Sequence, residues 1–428
     1  LKDMVKLKKV KYHLWAFPIS KLTSSFGALV YAFAVSLYIL QQTGSATSFA
    51  LSLICSAMPR TLVAPFAGYV ADNYSRKMIV LTGQTVITLA IAGLLTVSLT
   101  IGLSPLAIYI TTVITSIASQ FVSIALSASI TRLFDEANVQ RAMSFNQIAI
   151  SLSSIGSPII AGILFGYMPM SMFLILYMMA TTSAVLLNST MDFHLFATKK
   201  EENLKESMWQ SMRMGIAYLK SQPIIMPMLW VVFVNNFLFG AFNVGYSYTL
   251  IEILQMQTQH FGLTEAAYAV GMLLMSIWLS APKRAVKFPV LVAKRCMLCM
   301  GITMMGVTLP LFLDVSYIMI VIYYIALMFA IGLLELLVNI PLQIMLQKSV
   351  DDEFKGRIFS ITETMSMALM PLGSVVYGYL YDMLPAQWVF IISSLLLMSA
   401  VIILIKPSFI RQAHPELNIP KKSKLSWR

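Results

Sequence analysis

The sequence predicts an all-α polytopic membrane protein: twelve transmembrane helices in two six-helix bundles related by a pseudo-twofold repeat. Three observations carry this. Of 428 residues, 58% are hydrophobic and only 11% are charged, against about 25% charged in a typical soluble chain. Apolar runs long enough to cross a bilayer, roughly 20 residues each, recur along the whole length. Lys and Arg collect in alternate connections between those runs, as orientation in a membrane requires.

The elements follow in order. A basic tail, residues 1–13, runs straight into the first apolar segment, and no cleavable leader is expected. Spanning runs fall at 14–40, 47–71, 78–101, 105–130, 142–166 and 171–190. A polar linker at 191–222 separates them from runs at 224–251, 262–281, 296–313, 316–346, 358–381 and 386–405. Only helices and closed barrels satisfy all their backbone polar groups within lipid. Runs this long without period-2 alternation are helices. The expected organisation is therefore a bundle at 14–190, a linker at 191–222, a second bundle at 223–405 and a basic tail at 406–428. Trp209, Met212, Ile216 and Leu219 recur at helical spacing in the linker, which predicts an amphipathic helix on the membrane surface.

Of the 30 Lys and Arg residues, all but Lys21 and Arg60 fall on one side of the predicted topology. The expectation is a multi-pass protein of the cell membrane with both termini cytoplasmic. The net charge of +12 is thus a topology signal, and nucleic acid is not an expected partner. Cys296 and Cys299 form a lone C-x-x-C without a second pair, too little for a metal or redox site. No nucleophile elbow, phosphate loop or H-E-x-x-H is present, so the chain reads as a non-enzyme without a cofactor or metal.

The two halves resemble each other. "DEANVQRAMSFNQ" begins at Asp135 and "DDEFKGRIFSITE" at Asp351, 216 residues on. The same offset aligns Arg141 with Arg357, Ser144 with Ser360 and Gly162 with Gly378. An offset of half the chain predicts duplication, with a binding site between the repeats near the bilayer midplane.

The stretch "GYVADNYSRK", residues 68–77, resembles the signature between helices 2 and 3 of the major facilitator superfamily, roughly G-x-L-A-D-[RK]-x-G-R-[RK]. Gly68, Ala71, Asp72, Arg76 and Lys77 match, while Asn73 and Ser75 depart from it. The helix count, the 6+6 division and the long linker extend the likeness over the chain, which looks most like bacterial exporters of drugs, macrolides and siderophores. "SSIGSPIIAGILFG" in helix 5 is similar to the G-P-x-x-G-G element of antiporters in this superfamily; Gly156, Pro158 and Gly162 remain, and Ser157 replaces a glycine. The resemblance implies a secondary transporter working by alternating access. It makes Gly68, Asp72, Arg76, Lys77, Arg141 and Arg357 candidates for a conformational switch. In purely physical terms, Gly68 permits a close helix approach, Asp72 suits a helix N-terminus, and Arg76 and Lys77 also serve as membrane anchors.

Ionisable residues at membrane depth are functional candidates by default: Lys21, Arg60, Glu335 and Glu363. The family analogy places Lys21 and Glu335 on the central cavity, and Arg60 and Glu363 along the interface between halves. Lys21 also reads as snorkelling to the headgroups. Glu335, then Glu363, is the favoured proton site, though either also serves as a fixed partner for Lys21 or Arg60. Asn235, Asn236, Asn243, Asn339 and Gln343 are candidates for hydrogen bonds to a substrate or between helices. The expected activity is proton-driven efflux of an amphipathic small molecule, either a carboxylate of the metallophore or siderophore kind or a lipophilic drug, by a monomer in the lipid bilayer. Proton-coupled uptake of an organic anion is the alternative, and a lipid flippase or membrane sensor the reading from another class.

Overall fold

The computed structural model describes residues 2–193, 195–196, 225–280, 286–313, 315–349 and 355–414. The surface helix expected around Trp209 to Leu219 lies outside them. In chain order the helices are α1 (Lys2–Thr43), α2 (Ala46–Asn73), α3 (Arg76–Thr100), α4 (Pro105–Leu133), α5 (Glu136–Phe165) and α6 (Met170–Thr190). Then come α7 (Ile225–Tyr248), α8 (Thr258–Ser280), α9 (Pro289–Gly306), α10 (Tyr317–Ser349), α11 (Lys355–Met383), α12 (Ala386–Leu404) and the short α13 (Pro407–Ala413). A π-helical turn, Thr249–Ile253, extends α7, and a single helical turn, Leu309–Phe312, follows α9.

Among the described residues, eleven helices are long and apolar enough to cross a membrane. Helix α11, with 29 residues, stands where the eleventh crossing was expected but is not among those eleven. The first helix differs from expectation, because residues 2–13 are helical rather than a separate tail. Once a spanning helix is nucleated, each added residue gains a backbone hydrogen bond with little further ordering. Two contacts then hold the extension: Lys9 pairs with Asp192 at 2.8 Å, and His13 Nε2 accepts from the Asp192 backbone N–H at 3.2 Å.

Local chemistry ends these helices where the sequence turns. Gly44, at φ +62°, supplies the left-handed residue after α1, and its N–H donates to Leu40. Ser45 and Ser104 cap α2 and α4, each accepting from a backbone N–H three residues on. Pro169 and Pro385 precede α6 and α12, where a proline loses no helical hydrogen bond.

The chain divides into two compact units that cut across three helices. The first contains Leu1–Leu204 with Asn243–Ala266 and Ser374–Leu384. Within it α1 packs on α5 and α6, α2 on α4, and α3 on α4 and α6. The α1–α5 contact is made by small residues. Ser153 and Ser157 donate to the carbonyls of Leu22 and Phe26, and Gly156 faces the Phe26 ring. Lipid tails are as apolar as leucine, so close packing and hydrogen bonds rather than hydrophobic exclusion hold such helices together.

The two ends of this unit differ. At the basic end, Arg76 Nε donates to Ala71 O at 3.1 Å, its Nη1 donates to Ala128 O, and Lys77 Nζ donates to Ser189 O at 2.7 Å and Met191 O at 3.0 Å. These bases therefore close the carbonyl-rich ends of α2, α4 and α6, where cations are favoured. At the far end, α5 meets α8 at Gly162 and Gly262, backbone to backbone. Helix α11 meets α2 in the same way, with Gly378 against Ala46 and Ala50. The 216-residue offset converts the first pair of positions into the second, so the repeat is visible in the packing. There Asp382 accepts from Ser45 Oγ (2.7 Å) and from the backbone N–H groups of Ala46 (2.7 Å) and Thr47 (3.0 Å), closing the start of α2.

The second unit contains Lys205–Phe242, Ala267–Gly373 and Pro385–Arg428. In it α9 packs on α10 and α12. Gly271 and Gly332 bring α8 and α10 together, and Gly373 brings α11 onto α7 at Phe237. Lys294 Nζ donates to Ile405 O at 2.6 Å, so α9 secures the end of α12 as Lys77 of α3 secures that of α6.

Candidate functional site

The first unit encloses a cavity of about 420 Å³ among α1–α6. Lys21 of α1 and Arg60 of α2 both line it, and no Asp or Glu is among the described residues of its lining. Lys21 is only 6% exposed, and its Nζ donates to Ser123 Oγ on α4 at 3.2 Å. The aliphatic stem of Lys21 therefore does not snorkel to the headgroups; it holds the ammonium against a hydroxyl wall. Arg60 is open to the cavity, with Tyr177 of α6 near enough to interact electrostatically. Tyr177 stacks on Tyr31 with ring centroids 5.0 Å apart. Among the described residues neither base has a carboxylate within ion-pair distance. More than half the described lining residues carry a hydroxyl, so they offer many dipoles and no compensating charge. An unpaired charge is costly away from water, and two of the same sign attract an anion.

The remaining acids lie elsewhere. Glu335 is half-buried on α10 and accepts a hydrogen bond from Tyr268 of α8, inside the second unit. Asn236 donates to Val232 O within its own helix, so its amide is partly spent on α7. The backbone carbonyl of Asn243 accepts from Ser247. Asn339 and Gln343 are exposed and Asn235 is half-buried. The side chains of Asp72, Arg357 and Glu363 lie outside the described set. Arg141 is exposed, with its guanidinium 5.4 Å from the Phe145 ring centre. Among the described residues none stands within 4 Å of a Cβ placed on Gly68, whereas Gly162 and Gly378 make close helix approaches. Pro158 lies inside α5, between the α1 contact at Ser157 and the α8 contact at Gly162.

Three residues outside the sequence expectations belong to this description. Gln84 of α3 lines the cavity and is 1% exposed; a lone amide in the run "MIVLTGQTVITLA" was its signal. Asp382 repeats at the far end the G-Y-x-x-D pattern of residues 68–72. Glu265 lies seven residues inside α8, within the spanning run expected at 262–281, where it went unmarked beside Lys21, Arg60, Glu335 and Glu363.

A cavity with charged and hydroxylated walls inside a bundle of spanning helices defines a membrane carrier. The chain belongs to the Major Facilitator Superfamily, whose family model matches residues 19–367. Macrolide efflux protein A of Streptococcus pyogenes is 22% identical over 92% of this chain and 94% of that protein. An uncharacterised MFS-type transporter of Bacillus subtilis, YfiS, is 26% identical over 90% and 91%. Among solved structures, a POT family transporter aligns with TM-score 0.71 at 13% identity, covering 94% of this chain and 96% of its own. A bacterial homologue of the iron transporter ferroportin, in an inward-facing state, aligns with TM-score 0.67 at 15% identity, covering 94% and 99%. The protein is therefore a multi-span membrane transporter with a small-molecule substrate.

Proposed function

We propose that this transporter exports an amphipathic organic anion by proton antiport, through alternating access. One observation carries the substrate side: Lys21 and Arg60 share a cavity with no carboxylate among the described residues of its lining. A substrate bearing a carboxylate, of the metallophore or siderophore kind, neutralises that pair, whereas a cationic drug is repelled by it. Export is favoured by the macrolide efflux relatives. Coupling to protons is favoured by Glu335 and Glu265, acids set within spanning helices, where ionisable groups commonly form proton relays. Alternating access requires the glycine contacts at the far end to separate for release. On this reading both termini are cytoplasmic, the basic end faces the cytoplasm, and the bundles are joined by the linker at 191–222.

Flux into inside-out vesicles under an imposed pH gradient, with a panel of amphipathic anions, cations and neutral compounds, tests this reading. Anion accumulation driven by an acid interior in wild type, lost in Glu335→Gln or Glu265→Gln, is the expected result. Transport of any of these compounds that ignores the gradient overturns antiport. Equal transport of the cations overturns the substrate class.

A further inference from the structure

The cavity contains a hydrogen-bond donor that the protein leaves unused. Gln84 is buried on the cavity wall, and its two amide ends are treated differently. Ser20 Oγ on α1 donates to Asn188 Oδ1 on α6 at 3.0 Å, and Asn188 Nδ2 donates to Gln84 Oε1 at 2.9 Å. The relay commits the Gln84 oxygen and turns its amino group away from Asn188. That nitrogen, Nε2, has no hydrogen-bond partner among the described residues. A buried donor without a partner is destabilising by the full loss of its hydration, so a packing role alone would favour an apolar residue here. Asn188 is itself fully buried, at 0% exposed, and spends both ends of its amide on the relay. Three helices thus fix which end of this cavity-lining amide is left without a partner.

Its surroundings define what it would bind. Among the described residues, the charged ones lining the same cavity are Lys21 and Arg60, both donors that cannot accept a hydrogen bond. Ser20, where the relay begins, is the residue before Lys21. We propose that Gln84 is the third anchor of an oxyanion site: its free N–H donates to a carboxylate or phosphate headgroup whose charge Lys21 and Arg60 balance. Ser20 and Asn188 are positioning residues that fix the amide's polarity. This rests on the anionic-substrate reading above and adds to it. Charge alone attracts any anion to the cavity, whereas a directed N–H selects a headgroup with a planar or tetrahedral oxygen cluster.

The test is fluorescence binding to the purified full-length chain in lipid nanodiscs. The probes share one aromatic body: 2-naphthoate, 2-naphthyl phosphate, 2-naphthamide and 2-naphthylmethylammonium. Wild type should bind one of the two anions most tightly and the ammonium least, and the stronger anion tells carboxylate from phosphate. Lys21→Met with Arg60→Met should abolish that order. Gln84→Met should weaken the preferred anion about tenfold, the usual worth of a hydrogen bond to a charged group, with naphthamide unchanged. Gln84→Glu, which keeps the shape and replaces the donor by a charge, cancels one of the two positive charges and should narrow the preference for anions further than Gln84→Met does. Asn188→Leu should weaken the anion less than Gln84→Met does. If wild type binds the ammonium as well as the anions, the anionic reading falls. If wild type prefers anions and that preference persists undiminished in folded Gln84→Met or Gln84→Glu protein, only the Gln84 anchor falls.

Discussion

Replacing Gly262 by alanine adds one methyl group where the structure leaves no room. A Cβ there would stand 2.8 Å from Gly162 Cα and 2.9 Å from the Gly162 carbonyl carbon, with Ile163 N at 3.2 Å. All three are backbone atoms, so no rotamer change relieves the overlap, and α5 and α8 must part by roughly 0.5–1 Å to restore ordinary contact. Overpacking of this kind costs about 1–3 kcal/mol. The higher helix propensity of alanine, about 0.5–1 kcal/mol, is present in both arrangements and cancels. The overpacking, about 1–3 kcal/mol, therefore shifts the balance between the packed and separated far end by a factor of roughly 5–150. Pulsed electron paramagnetic resonance reads this directly in protein freed of Cys55, Cys296 and Cys299, with spin labels at Tyr167 and Gln255. The distance distribution should move to longer values in Gly262→Ala. Gly68→Ala is the control: among the described residues nothing stands within 4 Å of its Cβ position, so the distribution should not move and the melting temperature should hold or rise. A folded Gly262→Ala protein with an unchanged distribution would refute the view that this glycine pair keeps the far end packed.

The remaining predictions concern single contacts. Asp382→Asn keeps the shape of the α2 cap but removes its charge, and should destabilise the purified protein by about 1 kcal/mol in thermal or denaturant unfolding. Arg76→Met strips donors from the carbonyls of Ala71 and Ala128 and should lower stability by about 1–3 kcal/mol; the same assay checks it, with Arg141→Met, exposed on α5, expected to change little. Glu335→Gln should leave the protein folded and abolish the response of flux to a pH gradient, measured in the same inside-out vesicles. Lys21→Met should remove anion binding without unfolding the bundle, because the ammonium has one hydroxyl partner and no ion pair to break.

Much of the fold was legible in the sequence because the bilayer imposes a length and a sidedness. Runs of about 20 apolar residues and the confinement of Lys and Arg to alternate loops follow from lipid thickness and membrane orientation, whatever the packing. The candidate site was legible only in its most expensive parts. Lys21 and Arg60 were flagged because a charge in lipid needs a reason, but nothing in their spacing said that they share one cavity. Gln84 is neutral and passed unremarked among isoleucines and threonines. Asp382 lies one residue past the run expected at 358–381 and inside α11, which ends at Met383, so a small shift in a boundary moved this acid from loop to helix.

By itself the sequence determined that the chain spans a membrane many times, which family it resembles, that its halves repeat, and which charges needed explaining. Tertiary structure decided which of those groups meet. It assigned Arg76 and Lys77 to carbonyl-rich helix ends, and close helix approach to Gly162 and Gly378. It also gathered Lys21, Arg60 and Gln84 from three helices around one cavity. The physical reason is that helix formation and membrane insertion depend on each segment's own composition. A binding site instead depends on which faces of different helices are turned toward one another, and small residues and buried hydrogen bonds settle that only when the bundle packs.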